Sequence, residues 1–221
     1  MKRITGILSV LILALVPTVA SAHQGNADYR SEISSIRPAS VADGLSVEVV
    51  NFDDHVRLVN DTGKDVVVKG YDGEPLARIS ADGTVEVNLN SPAYYLNEDR
   101  FADVETPSRA DAGAAPDWKV IGDNGTYEWH DHRSHYMGEG VPPQVGDESK
   151  ETTVFDYVIP IEVGGKPAKV SGTLTWVGND SKPPVIPFVI LGLAIVAAIW
   201  FAIRRRRRGP DPDGKDGEEA W

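Results

Sequence analysis

The residues best suited to chemistry lie in one short segment, Tyr127–Met137, which reads YEWHDHRSHYM. It contains His130, His132 and His135, three of the five histidines in the chain. Side chains two residues apart lie on the same face of a β-strand. A strand over residues 126–132 therefore predicts that His130 and His132 point together, with His135 folding back from the loop that follows.

This segment predicts a transition-metal site that uses copper or zinc. Trp129 would face the core, which would expose the histidine pair on the other face of the strand. Imidazole nitrogens bind both metals, and a soft thioether favours copper. Two alternatives stay open, since histidines also form hydrogen bonds at strand ends and act as pH sensors. The expected ligands are His130, His132 and His135, with Met137 and Asp131 as auxiliary ligands.

The first 22 residues have the pattern of a signal peptide. Two basic residues precede an apolar run, and Ala20-Ser21-Ala22 supplies the small side chains of a signal-peptidase site. Cleavage there would make His23 the first residue of the mature chain. A free α-amine and the Nδ1 atom of the same histidine can chelate one metal ion, which favours copper. We therefore expect His23 to join the ligands.

A second apolar run predicts a membrane anchor. Residues 185–203 carry no charge, and 19 residues of helix can cross a hydrocarbon core of about 30 Å. Five arginines, Arg204–Arg208, follow at once and predict a cytoplasmic end. We expect a single-pass type I protein of the cell membrane. Its parts are a signal peptide 1–22, an extracytoplasmic domain 23–179, a stalk 180–184, a transmembrane helix 185–203 and a disordered cytoplasmic tail 204–221.

Charge and composition narrow the class of partner. The chain carries 33 acidic and 22 basic residues, a net charge of −11, and no cysteine. Binding to nucleic-acid phosphates requires clustered Lys and Arg, so the acidic exported domain argues against a nucleic-acid partner. Disulfides and cysteine-based zinc sites are excluded, and any metal in the domain must rely on histidine. The expected partners are the membrane and an envelope protein.

Alternation of apolar and polar residues predicts a mainly β extracytoplasmic domain. Turn dipeptides such as Asp-Gly and Gly-Gly separate the segments. The spacing favours an immunoglobulin-like or cupredoxin-like β-sandwich. Two long loops, 90–118 and 133–150, interrupt the pattern, and loops of this length are often functional. The predicted strands cover residues 45–50, 55–59, 65–70, 76–79, 84–89, 119–122, 126–132, 152–163 and 166–177.

The order of these features resembles an uncharacterised family of actinobacterial single-pass envelope proteins. The segments that carry the resemblance are GYDGEP at 70–75, NSPAYYLN at 90–97 and WHDHRSH at 129–135. The resemblance implies a β-rich exported domain, a C-terminal transmembrane helix and an arginine-rich stop, but no established activity. His23 and the strand pattern are also similar to CopC-type periplasmic copper carriers, which implies copper binding.

The sequence therefore predicts an envelope protein that binds a transition metal and has no catalytic activity. The alternative is a non-catalytic interaction or structural module whose partner contacts a long loop or the Tyr94-Tyr95 segment. An exported copper oxidoreductase or hydrolase has the least support. The chain contains no Gly-x-Ser-x-Gly, His-Glu-x-x-His or phosphate-binding glycine motif.

Overall fold

The computed structural model describes residues 25–178 and 185–207. The chain divides into two compact units, Met1–Asn179 and Asp180–Trp221. Among the described residues, the first unit holds ten strands and one short α-helix, and the second holds one long helix. The predicted signal peptide, His23, the stalk and the tail beyond residue 207 lie outside the described residues.

The strands of the first unit are joined mostly by turns and by two longer loops. A 3-10 turn covers Ala39–Val41, and a five-residue helix, α1, covers Pro92–Leu96. The strands are β1 Tyr29–Arg37, β2 Leu45–Val50, β3 His55–Asn60, β4 Val66–Lys69, β5 Pro75–Ile79, β6 Val85–Asn88, β7 Trp118–Gly122, β8 Thr126–Trp129, β9 Thr152–Val163 and β10 Lys166–Trp176.

These strands form two antiparallel sheets. The larger sheet has the order β1-β10-β9-β4-β5-β6-β7, and the smaller has the order β2-β3-β8. The longest strands, β9 and β10, pair along their length through a turn at Gly164 and Gly165. Both glycines have positive φ angles, 56° and 72°, which the Gly-Gly turn chemistry predicts.

Buried side chains from both sheets belong to one hydrophobic cluster. Leu58 of β3 and Trp129 of β8 come from the smaller sheet, and Ile159 and Ile161 of β9 come from the larger one. Residues two apart on a strand share a face, so each of these strands buries alternate side chains in the cluster. This core fixes the end of β8, where the histidine-rich segment begins.

The prediction of a mainly β domain is confirmed, and each of the nine predicted segments contains a strand. The sequence prediction missed β1, which pairs with β10 at the edge of the larger sheet. Ser31 is one of its two fully buried residues, and its hydroxyl lies 2.8 Å from the Tyr157 hydroxyl. An inward-facing serine breaks the apolar alternation that identifies a strand, because a hydrogen bond replaces apolar contact there.

The second unit is a helix, α2, over Val185–Arg207. Its segment Pro187–Arg205 has a mean hydropathy of 2.2. By length and composition this is a candidate membrane span, which agrees with the predicted apolar helix. The guanidinium of Arg204 lies 5.0 Å from the centre of the Trp200 ring, near the basic end of the helix.

We expect Leu58→Ala to destabilise the first unit by about 2 to 5 kcal/mol, because it leaves a cavity in the shared core. Leu58 is fully buried. The measurement is chemical denaturation of the full chain in detergent, followed by tryptophan fluorescence. Val120→Ala on β7 is the matched control, since Val120 is 60% exposed. Equal effects of the two substitutions would contradict the packing described above.

Candidate metal centre

The histidine-rich segment leaves the sheet as a tight turn. β8 ends at Trp129, three residues before the predicted end. The carboxylate of Asp131 accepts the backbone N–H of Arg133 at 3.0 Å, and the Asp131 carbonyl accepts that of Ser134 at 2.9 Å. This Asx-type turn competes with strand pairing. The prediction that His130 and His132 share one face of a strand is therefore wrong.

The turn nevertheless brings three histidines together. One ring nitrogen from each of His130, His132 and His135 lies within 4.8 Å of the others. His130 and His135 are buried and His132 is half-buried. The prediction of an exposed histidine pair is thus also wrong, because the turn folds the segment back against the domain.

The closest contact in the cluster joins the Nε2 atoms of His130 and His135, which are 2.8 Å apart. On the other side of each ring, His130 Nδ1 lies 2.5 Å from the carbonyl oxygen of Asp54, and His135 Nδ1 lies 3.2 Å from that of Tyr136. A carbonyl oxygen only accepts hydrogen bonds. When both rings are neutral and each Nδ1 donates to its carbonyl oxygen, the two Nε2 lone pairs face each other.

The close contacts of His130 and His135 require one more N–H group than the two neutral rings carry. A neutral imidazole carries one N–H, so His130 and His135 supply two protons for three close contacts. Moving either proton to Nε2 would leave a lone pair facing a carbonyl oxygen instead. A cation bound by both Nε2 atoms removes the conflict, and donation of the other N–H to a backbone carbonyl is the usual setting of a metal-bound histidine.

His132 is oriented by a different set of contacts. Its Nε2 donates a hydrogen bond to the Asp99 carbonyl at 2.8 Å, which leaves Nδ1 as the free acceptor. Its ring stacks on Tyr71 with 5.6 Å between centres, and its backbone N–H donates to the Tyr71 hydroxyl at 3.0 Å. The 90–118 loop therefore orients this histidine through Asp99.

Burial keeps two of the rings neutral. Desolvation, assisted by the proximity of His130, lowers the pKa of His135 to about 3, and desolvation also lowers the pKa of His130. Neutral imidazole is the form that binds metal ions. The surroundings thus favour the metal-binding form of both rings at neutral pH.

Asp131 supports the turn and does not join the cluster of nitrogens. Its carboxylate accepts the indole N–H of Trp129 at 2.7 Å and the guanidinium of Arg133 at 2.7 to 2.8 Å. Burial alone raises the pKa of Asp131, but the hydrogen bonds and charge of Arg133 bring it below its ordinary value. Both carboxylate oxygens are therefore engaged away from the histidines.

An acidic corner flanks the cluster and was missed as part of the site. Asp54 Oδ1 lies 3.5 Å from His130 Nδ1, and its Oδ2 lies 3.0 Å from His55 Nδ1. Arg100 forms an ion pair with Asp53 at 2.7 Å. The only sequence signal was the run Asp53-Asp54-His55, since Arg100 comes from a loop with no motif.

Met137 lies beside the cluster at the surface. It is 40% exposed and lines an open cleft of about 500 Å³ together with His132 and His135. The structure therefore places the predicted thioether near two of the three rings.

His23 lies outside the described residues. Gly25, two residues later in the sequence, approaches the acidic corner so closely that a Cβ there would lie 1.8 Å from the Asn51 carbonyl oxygen and 3.1 Å from Asp54 Cβ. The N–H of Asn26 donates to Asp53 at 2.8 Å. The described chain therefore begins next to the residues that contact His130, and a contribution of His23 stays a prediction.

Comparison with known proteins gives no family for this chain. No family model, curated protein or solved structure matches it. The argument for a function therefore rests on the geometry of the histidine cluster.

We expect acid to destabilise the metal-free protein through His130 and His135, whose pKa values are lowered by burial. In the unfolded chain they take up protons near pH 6.5, whereas in the folded chain His135 does so only near 3. The stabilising effect is therefore fully present above about pH 6.5 and is lost as the pH falls toward 3. His135 alone accounts for about 2 to 3 kcal/mol between pH 6.5 and 4.5.

The measurement is denaturant unfolding of chelator-treated protein at several pH values, with His135→Gln for comparison. The variant should lose less stability on acidification than the parent chain. An NMR titration in which the His135 ring protonates near pH 6.5 would contradict the expectation.

Proposed function

We propose that this protein is a membrane-anchored, extracytoplasmic metal-binding protein, which holds one transition-metal ion through His130, His132 and His135. Its role is metal handling at the cell envelope, by binding and without catalysis. The observation that carries the proposal is the 2.8 Å contact between two Nε2 atoms whose partner nitrogens both face carbonyl oxygens. A shared proton or a metal ion would satisfy both lone pairs, and the burial that lowers the pKa of both rings disfavours the proton, which supports the metal ion.

Copper is the metal that we favour, with zinc as the alternative. Two ligands bound at about 2.0 Å and at right angles lie about 2.8 Å apart, whereas tetrahedral ligands lie about 3.3 Å apart. The 2.8 Å separation of the two Nε2 atoms in the metal-free chain is compatible with the right-angled arrangement typical of Cu(II) and is also the length of an ordinary hydrogen bond. Copper also binds nitrogen ligands more tightly than the other divalent metals of its row.

The membrane location and the fold type belong to the same proposal. The apolar segment Pro187–Arg205 supports a single span, and the basic end of α2 supports a cytoplasmic C-terminus. The first unit would then lie outside the cytoplasm. Its two antiparallel sheets with one shared core support a β-sandwich of immunoglobulin-like or cupredoxin-like type.

A second candidate function is an interaction module that binds no metal. β7 lies at the edge of the larger sheet, and its Val120 and Ile121 are 60% and 50% exposed. An exposed apolar edge strand can pair with a strand of another protein. The predicted Tyr94-Tyr95 surface has less support, because Tyr94 packs on the core and the Tyr95 hydroxyl donates to the Leu89 carbonyl.

We expect the purified full chain in detergent to bind one Cu²⁺ per molecule, and Zn²⁺ more weakly. Calorimetry with a competing chelator measures affinity, and elemental analysis measures stoichiometry. His135→Gln should weaken copper binding at least about 100-fold, because it removes one ligand of three. His55→Gln is the matched control, since His55 lies at the same corner but outside the three-nitrogen group. Equal affinities of parent and His135→Gln would overturn the proposal.

We expect a reporter fused after Trp221 to lie in the cytoplasm, because arginines beside a span stay on that side. Alkaline phosphatase is a suitable reporter, since it is active only after export. The same reporter fused after Gly178, before the span, serves as the exported control. Phosphatase activity from the fusion at Trp221 would exclude the type I topology.

A further inference from the structure

We propose that the metal held by the three histidines keeps one coordination position open to the Met137 cleft, where a small, weakly hydrated donor ligand from outside the protein binds. This inference rests on the proposed function. It concerns what the bound metal does, because a metal with an open position exchanges ligands, whereas a structural metal is enclosed by four protein ligands.

Among the described residues, no carboxylate belongs to the group of candidate ligand atoms formed by the three histidines. The acidic side chains nearest to the three rings are already engaged by hydrogen bonds or ion pairs. Asp131 accepts from Trp129 and Arg133, Asp54 lies against Asn51 and His55, and Asp99 accepts the backbone N–H groups of Phe101 and Asp103. Within the described residues, three nitrogens therefore remain as the protein ligands.

The cleft reaches two members of the cluster, of which His132 is half-buried and His135 is fully buried. His132 and His135 line it, whereas His130 does not. His130 instead contacts Asp54, which in turn neighbours Arg100. A ligand can therefore approach a metal between the rings from the side of Met137.

The walls of the cleft indicate the kind of ligand. Phe155, Tyr157 and Val158 of β9 line it, together with the charged residues Asp156 and Arg133. Where a ligand contacts the aromatic and aliphatic part of this wall, its water is removed without replacement, which disfavours strongly hydrated ligands. A soft nitrogen or sulfur donor loses little hydration and binds copper well.

Met137 is the internal competitor for the same position, because it lines the same cleft and carries a thioether. A protein in which Met137 occupied the fourth position would accept an external ligand only after that side chain was removed. Met137→Leu, which keeps the size and removes the donor, separates these two cases.

The experiment uses the full chain in detergent, loaded with Cu²⁺, with azide as the probe. Copper stoichiometry is measured first, so that a failure to bind copper is recognised as failure of the proposed function and, with it, of this inference. Azide is then titrated, and its charge-transfer absorption band and electron paramagnetic resonance spectrum are followed. We expect a saturable band with one azide per copper, both in the parent chain and in Met137→Leu.

A blocked cleft provides the decisive variant. Val158 is 43% exposed in the cleft wall, so Val158→Trp fills the cleft without changing a ligand. Val158→Trp should weaken azide binding by at least about tenfold and leave copper affinity unchanged. Val120→Trp, at an exposed valine of β7, is the matched control and should alter neither.

Three results would overturn the inference. Absence of an azide band in the copper-loaded parent chain would show a closed site. Azide binding that appears only in Met137→Leu would show that Met137 is a ligand. Equal azide affinities in Val158→Trp and Val120→Trp would show an access route other than the cleft.

Discussion

The candidate site depends on one buried contact, in which the Nε2 atoms of His130 and His135 lie 2.8 Å apart while each Nδ1 faces a backbone carbonyl. In solution the rings would separate or take up a proton. Here burial disfavours the added charge, and the Asp54 and Tyr136 carbonyls hold the only N–H group of each ring. The rest of the site holds the rings of His130 and His135 in this close arrangement.

Backbone atoms provide most of the contacts that hold the histidine rings in place. Three carbonyl groups, from β2–β3, the 90–118 loop and the histidine segment itself, each accept one ring N–H. The buried pair of Asp131 and Arg133 closes the turn that carries the histidines, and Arg133 also donates to the Lys69 carbonyl at 3.0 Å. Because breaking a buried ion pair leaves an uncompensated charge, this turn resists distortion. A site held in this way is preorganised, so little ordering is required when a ligand binds.

Much of the fold was predictable from local patterns, and the site was predictable only in part. Nine strands followed from alternation and turn dipeptides, because a strand buries alternate residues whichever strand it pairs with. β1 escaped because Ser31 replaces an apolar residue inside the sheet. The strand predicted over 126–132 ended early because the Asp131 side chain bonded to the backbone. Local propensity did not reveal whether strand pairing or the hydrogen bond of the Asp131 side chain to the backbone would prevail.

The sequence by itself determined the types of group available: three clustered histidines without cysteine, β-forming segments, and one uncharged apolar helix. These are properties of neighbouring residues, so they can be read from spacing. The tertiary structure alone decided which ring nitrogens face each other and which face backbone carbonyls. That outcome depends on the carbonyls of Asp54 and Asp99, 76 and 33 residues away from the histidines that they contact. No local pattern encodes such a contact, because it forms only when the core brings distant loops to the end of β8.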